Sequence, residues 1–341
     1  MAKRSFNVAV VGATGNVGRA MLQVLAEREF PIKNLYALAS SRSVGQKVSY
    51  GEDAVLTVEN LEHFDFKKAD IVLSSPGAKV SAVFAPRAAA AGAVVIDNTS
   101  HFRMDKDVPL VVPEVNAEAL KDFAKKRIIA NPNCSTIQLV VALKPLHDIA
   151  PISRVVVSTY QSVSGAGKDA MDELFAQCRN TFVNQEIERN VFQKQIAFNV
   201  IPQIDVFMED GYTKEEWKMR VETKKILDAD IEVSATCVRV PVFVGHAEAV
   251  TIEFDAPISV EQARAALKKA PGIELVEGTR AEPDYMTPKE CATYDPVYVS
   301  RLRKDPTTPN ALSMWIVADN VRKGAALNSV QIAEVLAKKY L

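Results

Sequence analysis

The sequence predicts an α/β protein of two domains. A mostly parallel sheet wrapped by helices comes first, then an α+β domain, and a closing helix returns to the first domain. Three observations predict it. A glycine-punctuated turn, Gly12-Ala13-Thr14-Gly15-Asn16-Val17-Gly18, joins an apolar strand to a helix near the start. Short apolar strands then alternate with helical segments through Ala130, the grammar of a parallel sheet. Past Arg154 strands outnumber helices, as in an antiparallel sheet with helices on one face, before an amphipathic run from Gly324 to Tyr340. The expected domains are 1–133, completed by 318–341, and 134–317.

Phe6 to Val11 reads as the first strand and Arg19 to Glu27 as the helix after it, with Ala20, Leu22, Val24 and Leu25 available for packing. Glycines at such a turn let the backbone approach a diphosphate, and the helix N-terminus offers N–H donors. The spacing is GxxGxxG, one residue longer in its first half than the usual GxGxxG. A second strand, Leu35 to Ala39, one βαβ unit later makes the motif that of a Rossmann-like dinucleotide site. Gly12, Ala13, Thr14, Gly15, Asn16 and Val17 would touch the cofactor. Where an NAD-type fold places an acid on the ribose, this chain has Ser40-Ser41-Arg42-Ser43. Hydroxyls and a guanidinium suit a 2′-phosphate, so the expected cofactor is NADP(H), held by Ser40, Ser41 and Arg42. A solvated loop arginine is the plainer alternative.

Asp70 to Ser75 continues the sheet, followed by the turn Pro76-Gly77-Ala78-Lys79, a helix from Val80 to Ala91 and a strand from Ala93 to Ile96. His101-Phe102-Arg103 and Val111 to Asn116 are expected in loops near the carboxyl end of the sheet, where this architecture binds ligands. Ile128-Ile129-Ala130 then leads into Asn131-Pro132-Asn133-Cys134-Ser135-Thr136 and an apolar helix from Ser135 to Leu143. Pro132 stops the ladder, and Cys134 falls in a strand-to-helix turn, where free N–H groups and the helix dipole favour a thiolate.

In the second domain Arg154 to Tyr160 is a β-branched strand. The loop Ser162 to Lys168 resembles a phosphate-binding loop, but it lacks a glycine at 162 and has Asp169 where magnesium needs a hydroxyl, which excludes a nucleoside triphosphate site. Lys214 to Leu227 is a charged amphipathic helix, and a short helix is expected near Glu261 to Lys268. Ile231 to Val242, Ala249 to Phe254, Val297 to Leu302 and Leu312 to Val317 read as strands.

The 341 residues carry a net charge of −1, which gives no general attraction to nucleic acid or to an anionic membrane. No apolar run reaches transmembrane length, and Met1-Ala2-Lys3-Arg4-Ser5-Phe6 shows no leader. Cys134, Cys178, Cys237 and Cys291 lie far apart, so neither a metal site nor a disulfide scaffold is expected, and the pattern suits the cytoplasm.

Four histidines compete to serve Cys134. His63 sits among charges at the surface, His147 lies at the far end of the cysteine helix, and His101 neighbours Arg103. His246, in the tight link Val244-Gly245-His246-Ala247-Glu248, is the preferred base. Arg239 stands in an apolar strand and needs a partner: a substrate carboxylate, or one of the chain's own. Glu215 and Lys218 share a helix face at i, i+3.

Taken together, GATGNVG, SSRS, NPNCSTIQ, TYQSVSGAG, the EEWK helix, RVPV, GHAEAV and the closing Asp319 to Ala326 resemble the bacterial aspartate-β-semialdehyde dehydrogenases over almost the whole chain. The turn Pro76 to Lys79 departs from the Ala-Gly-Gly-Ser of many relatives. The resemblance implies a glyceraldehyde-3-phosphate-dehydrogenase-like catalytic and dimerisation domain. It also implies reversible, NADPH-dependent conversion of β-aspartyl phosphate to the semialdehyde, with release of phosphate, on the route to lysine, threonine, methionine and diaminopimelate. Cys134 would then be the nucleophile that forms a thioester and His246 the acid/base, with Gln161 orienting substrate and Asn133 holding the oxyanion. Arg239 would bind the α-carboxylate, Glu215 the α-ammonium, and Arg103 and Lys218 the phosphate; Ser164, Gly165 and Asn320 would lie against the cofactor. Homodimers or tetramers are the implied assembly. An N-acetyl-glutamyl-phosphate reductase, or a catalytically silent nucleotide sensor, would share much of this sequence pattern.

Overall fold

The computed structural model describes residues 4–52, 54–279, 281 and 284–341; Met1, Ala2 and Lys3, read above as a start without a leader, lie outside the described residues. The chain divides into two compact units, Met1–Asn133 with Ala325–Leu341, and Cys134–Gly324.

The first unit runs β1 (Phe6–Val11), α1 (Asn16–Glu27), β2 (Ile32–Ala39), β3 (Lys47–Tyr50), β4 (Ala54–Asn60), β5 (Ile71–Ser74), α2 (Ala78–Ala90), β6 (Val94–Asp97), α3 (Pro113–Asn116) and β7 (Ile128–Ala130). Its strands order as β3-β4-β2-β1-β5-β6-β7, parallel except for β3 on β4. The central strands are buried almost throughout, which is why they read as continuous apolar runs. Two expectations are corrected. Helix α1 begins at Asn16, not Arg19, so the last residues of the glycine turn already belong to its first turn. Val111 to Asn116 is not all loop, because Pro113 opens the short helix α3 with its φ already helical.

The second unit runs α4 (Cys134–His147), β8 (Ile152–Gln161), α5 (Lys168–Phe182), α6 (Lys214–Ile226), β9 (Glu232–Arg239), β10 (His246–Phe254), α7 (Val260–Leu267), β11 (Ile273–Val276), α8 (Pro288–Cys291), β12 (Val297–Lys304) and β13 (Ala311–Ala318). The sheet order is β11-β12-β13-β10-β8-β9. It is mixed rather than antiparallel: β8 pairs β9 and β11 pairs β12 in parallel. Each parallel pair is separated in sequence by a helix that carries the chain back, α5 and α6 for the first and α8 for the second. Helices α4, α6 and α7 pack on these strands, and β8 accordingly alternates buried and more exposed residues.

Past β13 a π-helical turn, Arg322–Ala326, leads into α9 (Leu327–Lys339), so the terminal helix starts with a widened turn at Gly324. Leu327, Val330, Ile332, Ala333 and Leu336 enter the same core as Met21, Leu22, Val24 and Leu25 of α1, and Arg28 clamps Glu334 with two bonds of 2.7 and 2.8 Å. Among the described residues no helix is long and apolar enough to cross a membrane.

Candidate active site

Three of the side chains expected at the active site are brought together by strand register. Gln161 ends β8, Arg239 ends β9 and His246 begins β10; Gln161 pairs with Arg239 on one side and with His246 on the other. His246 also pairs with Ala318, the last residue of β13, directly before Asp319 and Asn320. Three residues far apart in sequence thus form one row at the end of the sheet, all on the helix-covered face. His246 is therefore the first residue of a strand and not part of the link before it. The link is closed by Gly245 at φ +95°, where a Cβ would stand 2.6 Å from the Pro288 carbonyl oxygen.

Ser162, which the sequence reading passed over, holds the row. Its N–H donates to His246 Nδ1 at 3.1 Å, its hydroxyl lies 3.1 Å from the same nitrogen, and its carbonyl accepts from Arg239 Nη1 at 2.8 Å. A backbone N–H can only donate, so Nδ1 is an acceptor and the neutral ring carries its proton on Nε2. That nitrogen has no partner among the described residues. Burial, and then the Arg239 charge, pull the imidazole down to about 3, so His246 is neutral at physiological pH.

Arg239 is 5% exposed, and Glu215 is the opposite charge that most favours its cationic form, followed by Cys134. Its Nε finds no partner among the described residues. Gly165, expected against a cofactor, lies at this cluster: a Cβ there would stand 3.0 Å from Arg239 Nη1 and 3.2 Å from His246 Nε2. Ser164 and Asn320 face each other. Asn320 Oδ1 accepts from Ser162 Oγ, Ser164 Oγ and Gly245 N, while its Nδ2 donates to Ser164 Oγ at 2.9 Å. Asn320 thereby ties three segments of the site into one.

Helix α6 supplies the carboxylate. A capping box between Thr213 and Glu216 fixes its start, worth about 1 kcal/mol, and the other oxygen of Glu216 accepts from Cys237 N of β9 at 2.9 Å. Glu215 is thereby turned inward: Oε1 accepts from Gln161 Nε2 and Oε2 from Lys218 Nζ, each at 3.0 Å. Lys218 also meets Asp205 at 2.8 Å, and the two carboxylates hold its ammonium above the usual lysine range despite burial. Asp205, a residue the sequence reading did not single out, does this from a left-handed backbone at φ +69°.

Cys134 opens α4 and is partly exposed, while the nine residues after it, Ser135 to Leu143, are buried. As the first residue of this helix, Cys134 stands at the positive end of the helix dipole, which favours a thiolate. A Cβ on Gly324 would stand 2.8 Å from Cys134 Cβ, so only glycine lets the π-helical turn pass this close. In the first unit, buried Arg103 donates to the carbonyl oxygens of Asn131 at 2.9 Å and Asn98 at 2.8 Å, and Asn328 Nδ2 donates to Asn131 Oδ1 at 2.7 Å. These bonds fix the segment that ends the first unit at Asn133. His63 and His101 are exposed, and His147 Nδ1 accepts from Ile152 N, away from this cluster.

The residues of the glycine turn fit a dinucleotide. Gly12 has φ +81°, and a Cβ there would meet the Ser75 carbonyl oxygen at 2.8 Å; one on Gly18 would strike the Gly12 oxygen at 2.1 Å. Gly15 caps α1 without a side-chain bond and no acid occupies the first turn, so donors and dipole stay available for phosphate. Ser41–Ser43 forms a short exposed turn directly after β2, presenting Arg42.

Two family models match the chain: the semialdehyde dehydrogenase NAD-binding domain over residues 7–123 and the semialdehyde dehydrogenase dimerisation domain over 143–323. The chain belongs to the semialdehyde dehydrogenase family. Among its relatives, the aspartate-semialdehyde dehydrogenase of Shewanella sp. (strain DB6705) is 55% identical over 338 residues, covering 99% of each chain. Aspartate-semialdehyde dehydrogenase 2 of Vibrio cholerae serotype O1 is 54% identical, again over 99% of each. The crystal structure of aspartate-semialdehyde dehydrogenase II from Vibrio cholerae superposes with a TM-score of 0.96, covering 99% of this chain and 100% of that one at 54% identity. A second structure of that enzyme, described as complexed with ASA, matches equally. The Candida albicans aspartate-semialdehyde dehydrogenase, described as crystallised with NADP, matches at a TM-score of 0.75 and 27% identity, covering 98% of each chain.

Proposed function

We propose that this chain is a phosphorylating aspartate-semialdehyde dehydrogenase, converting L-aspartyl-4-phosphate and NADPH reversibly to L-aspartate-4-semialdehyde, NADP and phosphate. The observation that carries the proposal is the row Arg239–Gln161–His246, with Glu215 bonded to Gln161, in the same unit as a cysteine at a helix N-terminus. The relatives' names support the same reaction. Such a row offers a cation for an α-carboxylate, an anion for an α-ammonium, and a neutral ring for proton transfer beside a sulfur nucleophile.

Cys134 attacks the acyl carbon of the acyl phosphate, and Asn133 with the N–H groups at the start of α4 stabilises the oxyanion. Phosphate leaves, drawn by Arg103 and Lys218, and the acyl group remains on Cys134 as a thioester. Reduced nicotinamide, when bound, supplies the hydride. With the substrate carboxylate offsetting the Arg239 charge, His246 enters this step as imidazolium, its Nδ1–H accepted by the Ser162 hydroxyl oxygen. It gives its Nε2 proton to the thiohemiacetal oxygen as hydride arrives, which leaves the neutral ring. Collapse of the thiohemiacetal breaks the C–S bond and returns that proton to the ring, releasing the semialdehyde and the Cys134 thiolate. In the reverse direction the same steps run backwards. Gln161, fixed between Thr159 and Glu215, orients the substrate.

Arg42 with Ser40 and Ser41 binds the 2′-phosphate, which favours NADP over NAD. Ser164, Gly165 and Asn320 contact the nicotinamide half. The face of the second sheet opposite α4 presents Tyr160 and Trp315, ring centroids 5.5 Å apart, and a second copy covers it, making a homodimer. The reaction belongs to biosynthesis of lysine, threonine, methionine and diaminopimelate in the cytoplasm. The test is reduced-nicotinamide formation from aspartate semialdehyde with and without inorganic phosphate. Strict dependence on phosphate is expected. Oxidation at the same rate without it overturns the reaction assigned.

A further inference from the structure

Directly beneath the catalytic row lies a second row on the same sheet face: Cys237, Thr159, Glu248 and Ile316 pair across β9, β8, β10 and β13. Glu248 is completely buried, two residues along β10 from His246, so both side chains leave the strand on one side. Gln138 is also buried and sits four residues along α4 from Cys134, on the same helix face. Among the described residues, the Gln138 amide is the group that favours the Glu248 carboxylate, across a contact that falls short of a formed hydrogen bond. Neither side chain has any other hydrogen-bond partner among the described residues. The catalytic scheme uses neither.

We propose that Glu248 and Gln138 are a positioning pair, holding the helix turn that carries Cys134 against the strand that carries His246. The inference rests on the site reading above and extends it to residues that touch no substrate. Burial holds the Glu248 carboxyl well above the usual carboxylate range, which favours its protonated form. A protonated carboxyl and a primary amide each offer a donor and an acceptor, and a reciprocal two-bond pair satisfies both. Two polar groups so placed fix direction, which an apolar contact of the same volume does not. A displacement of about 1 Å between reacting groups can cost about 100-fold in rate, so the pair has leverage without touching substrate.

The test compares three enzymes with the parent by kcat, KM for the semialdehyde and melting temperature. Glu248→Met with Gln138→Leu removes both polar groups, so stability should change little, while kcat should fall about tenfold or more with KM within about threefold. Glu248→Gln keeps a reciprocal pair, and its kcat should stay within about threefold of the parent. The swapped enzyme, Gln138→Glu with Glu248→Gln, restores acid and amide in exchanged places and should recover to within about threefold. A stable apolar double variant with parental kcat overturns the proposal, since the pair then only fills the core. A folded swapped enzyme as slow as the apolar one overturns it too, as does a Glu248→Gln enzyme that loses turnover while remaining folded. Failure of the site reading would look different: the parent itself would keep its activity after stoichiometric alkylation of Cys134.

Discussion

Gly165→Ala probes the closest approach in the site. Gly165 is not among the glycines with positive φ, so alanine adds a methyl group and no backbone strain. That methyl carbon would stand 3.0 Å from Arg239 Nη1, 3.2 Å from His246 Nε2 and 3.3 Å from His246 Cε1, against the 3.4 Å at which ordinary contact begins. The guanidinium must therefore yield by about 0.4 Å and the ring by about 0.2 Å. Neither moves alone, because Arg239 Nη1 is tied to the Ser162 carbonyl at 2.8 Å and His246 Nδ1 to the Ser162 N–H at 3.1 Å. A shift of this size in both groups should lower kcat/KM by about 10- to 100-fold, or about 1.4–2.8 kcal/mol of transition-state stabilisation. Overpacking by one methyl costs about 1 kcal/mol of stability, a few degrees in melting temperature for units of this size. Initial-rate kinetics in the phosphate-dependent direction, beside a thermal melt, separate the two effects. Parental kcat/KM in the alanine variant would refute the crowded geometry around Gly165.

Arg42→Ala should weaken NADP by about tenfold or more and leave NAD nearly unchanged, since only NADP presents a 2′-phosphate; equal loss for both contradicts the cofactor assignment. Arg239→Lys keeps the charge but loses the fork that serves Ser162 and a carboxylate together, so kcat/KM should fall about 100-fold with the fold intact; near-parental kinetics would make Arg239 a structural residue. His246 gives a pH dependence of stability with a definite sign. Its folded value of about 3 lies below the ordinary value of about 6.5, so the unfolded chain binds a proton that the folded chain refuses. The stability involved is whole above about pH 6.5 and is lost as pH falls towards 3. His246→Gln should therefore lose less stability than the parent between pH 7 and pH 5, and identical losses in melts at the two values would contradict this.

The glycine turn, the parallel sheet and the Cys134 turn were legible because each depends on neighbours in sequence. A strand, a glycine at φ +81° and a helix are all within reach of one short window. Strands β3 and β4 were not, because they lie at and next to the sheet edge and are largely exposed, so their apolar pattern is weak. Helix α5 escaped for a related reason: it leaves Phe175 and Phe182 exposed, blurring its apolar face. The row of Arg239, Gln161 and His246 depends on register between strands of different sequence origin, which no local pattern encodes. Parallel pairing of β8 with β9 was hidden likewise. Glu248 and Gln138 did leave a trace, as lone polar residues inside the apolar runs Ala247-Glu248-Ala249-Val250 and Ile137-Gln138-Leu139. Each interrupts a segment that is otherwise buried, which is the signal of a polar group with a purpose.

Intact-protein mass spectrometry after mixing with an acyl phosphate or an electrophilic analogue tests the central claim, that Cys134 carries the acyl group. Cys237 is buried and its thiol is pushed up, and burial raises Cys291 to about 12, so both should stay silent at neutral pH. Cys178 is partly exposed on α5 and serves as the internal control. The account predicts one label, mapped to the peptide containing Cys134, which persists in His246→Ala and is lost in Cys134→Ser. His246→Ala should turn over about 10²–10⁴-fold more slowly while still taking up that label. A label on Cys178, Cys237 or Cys291, or full turnover by Cys134→Ser, would contradict the account.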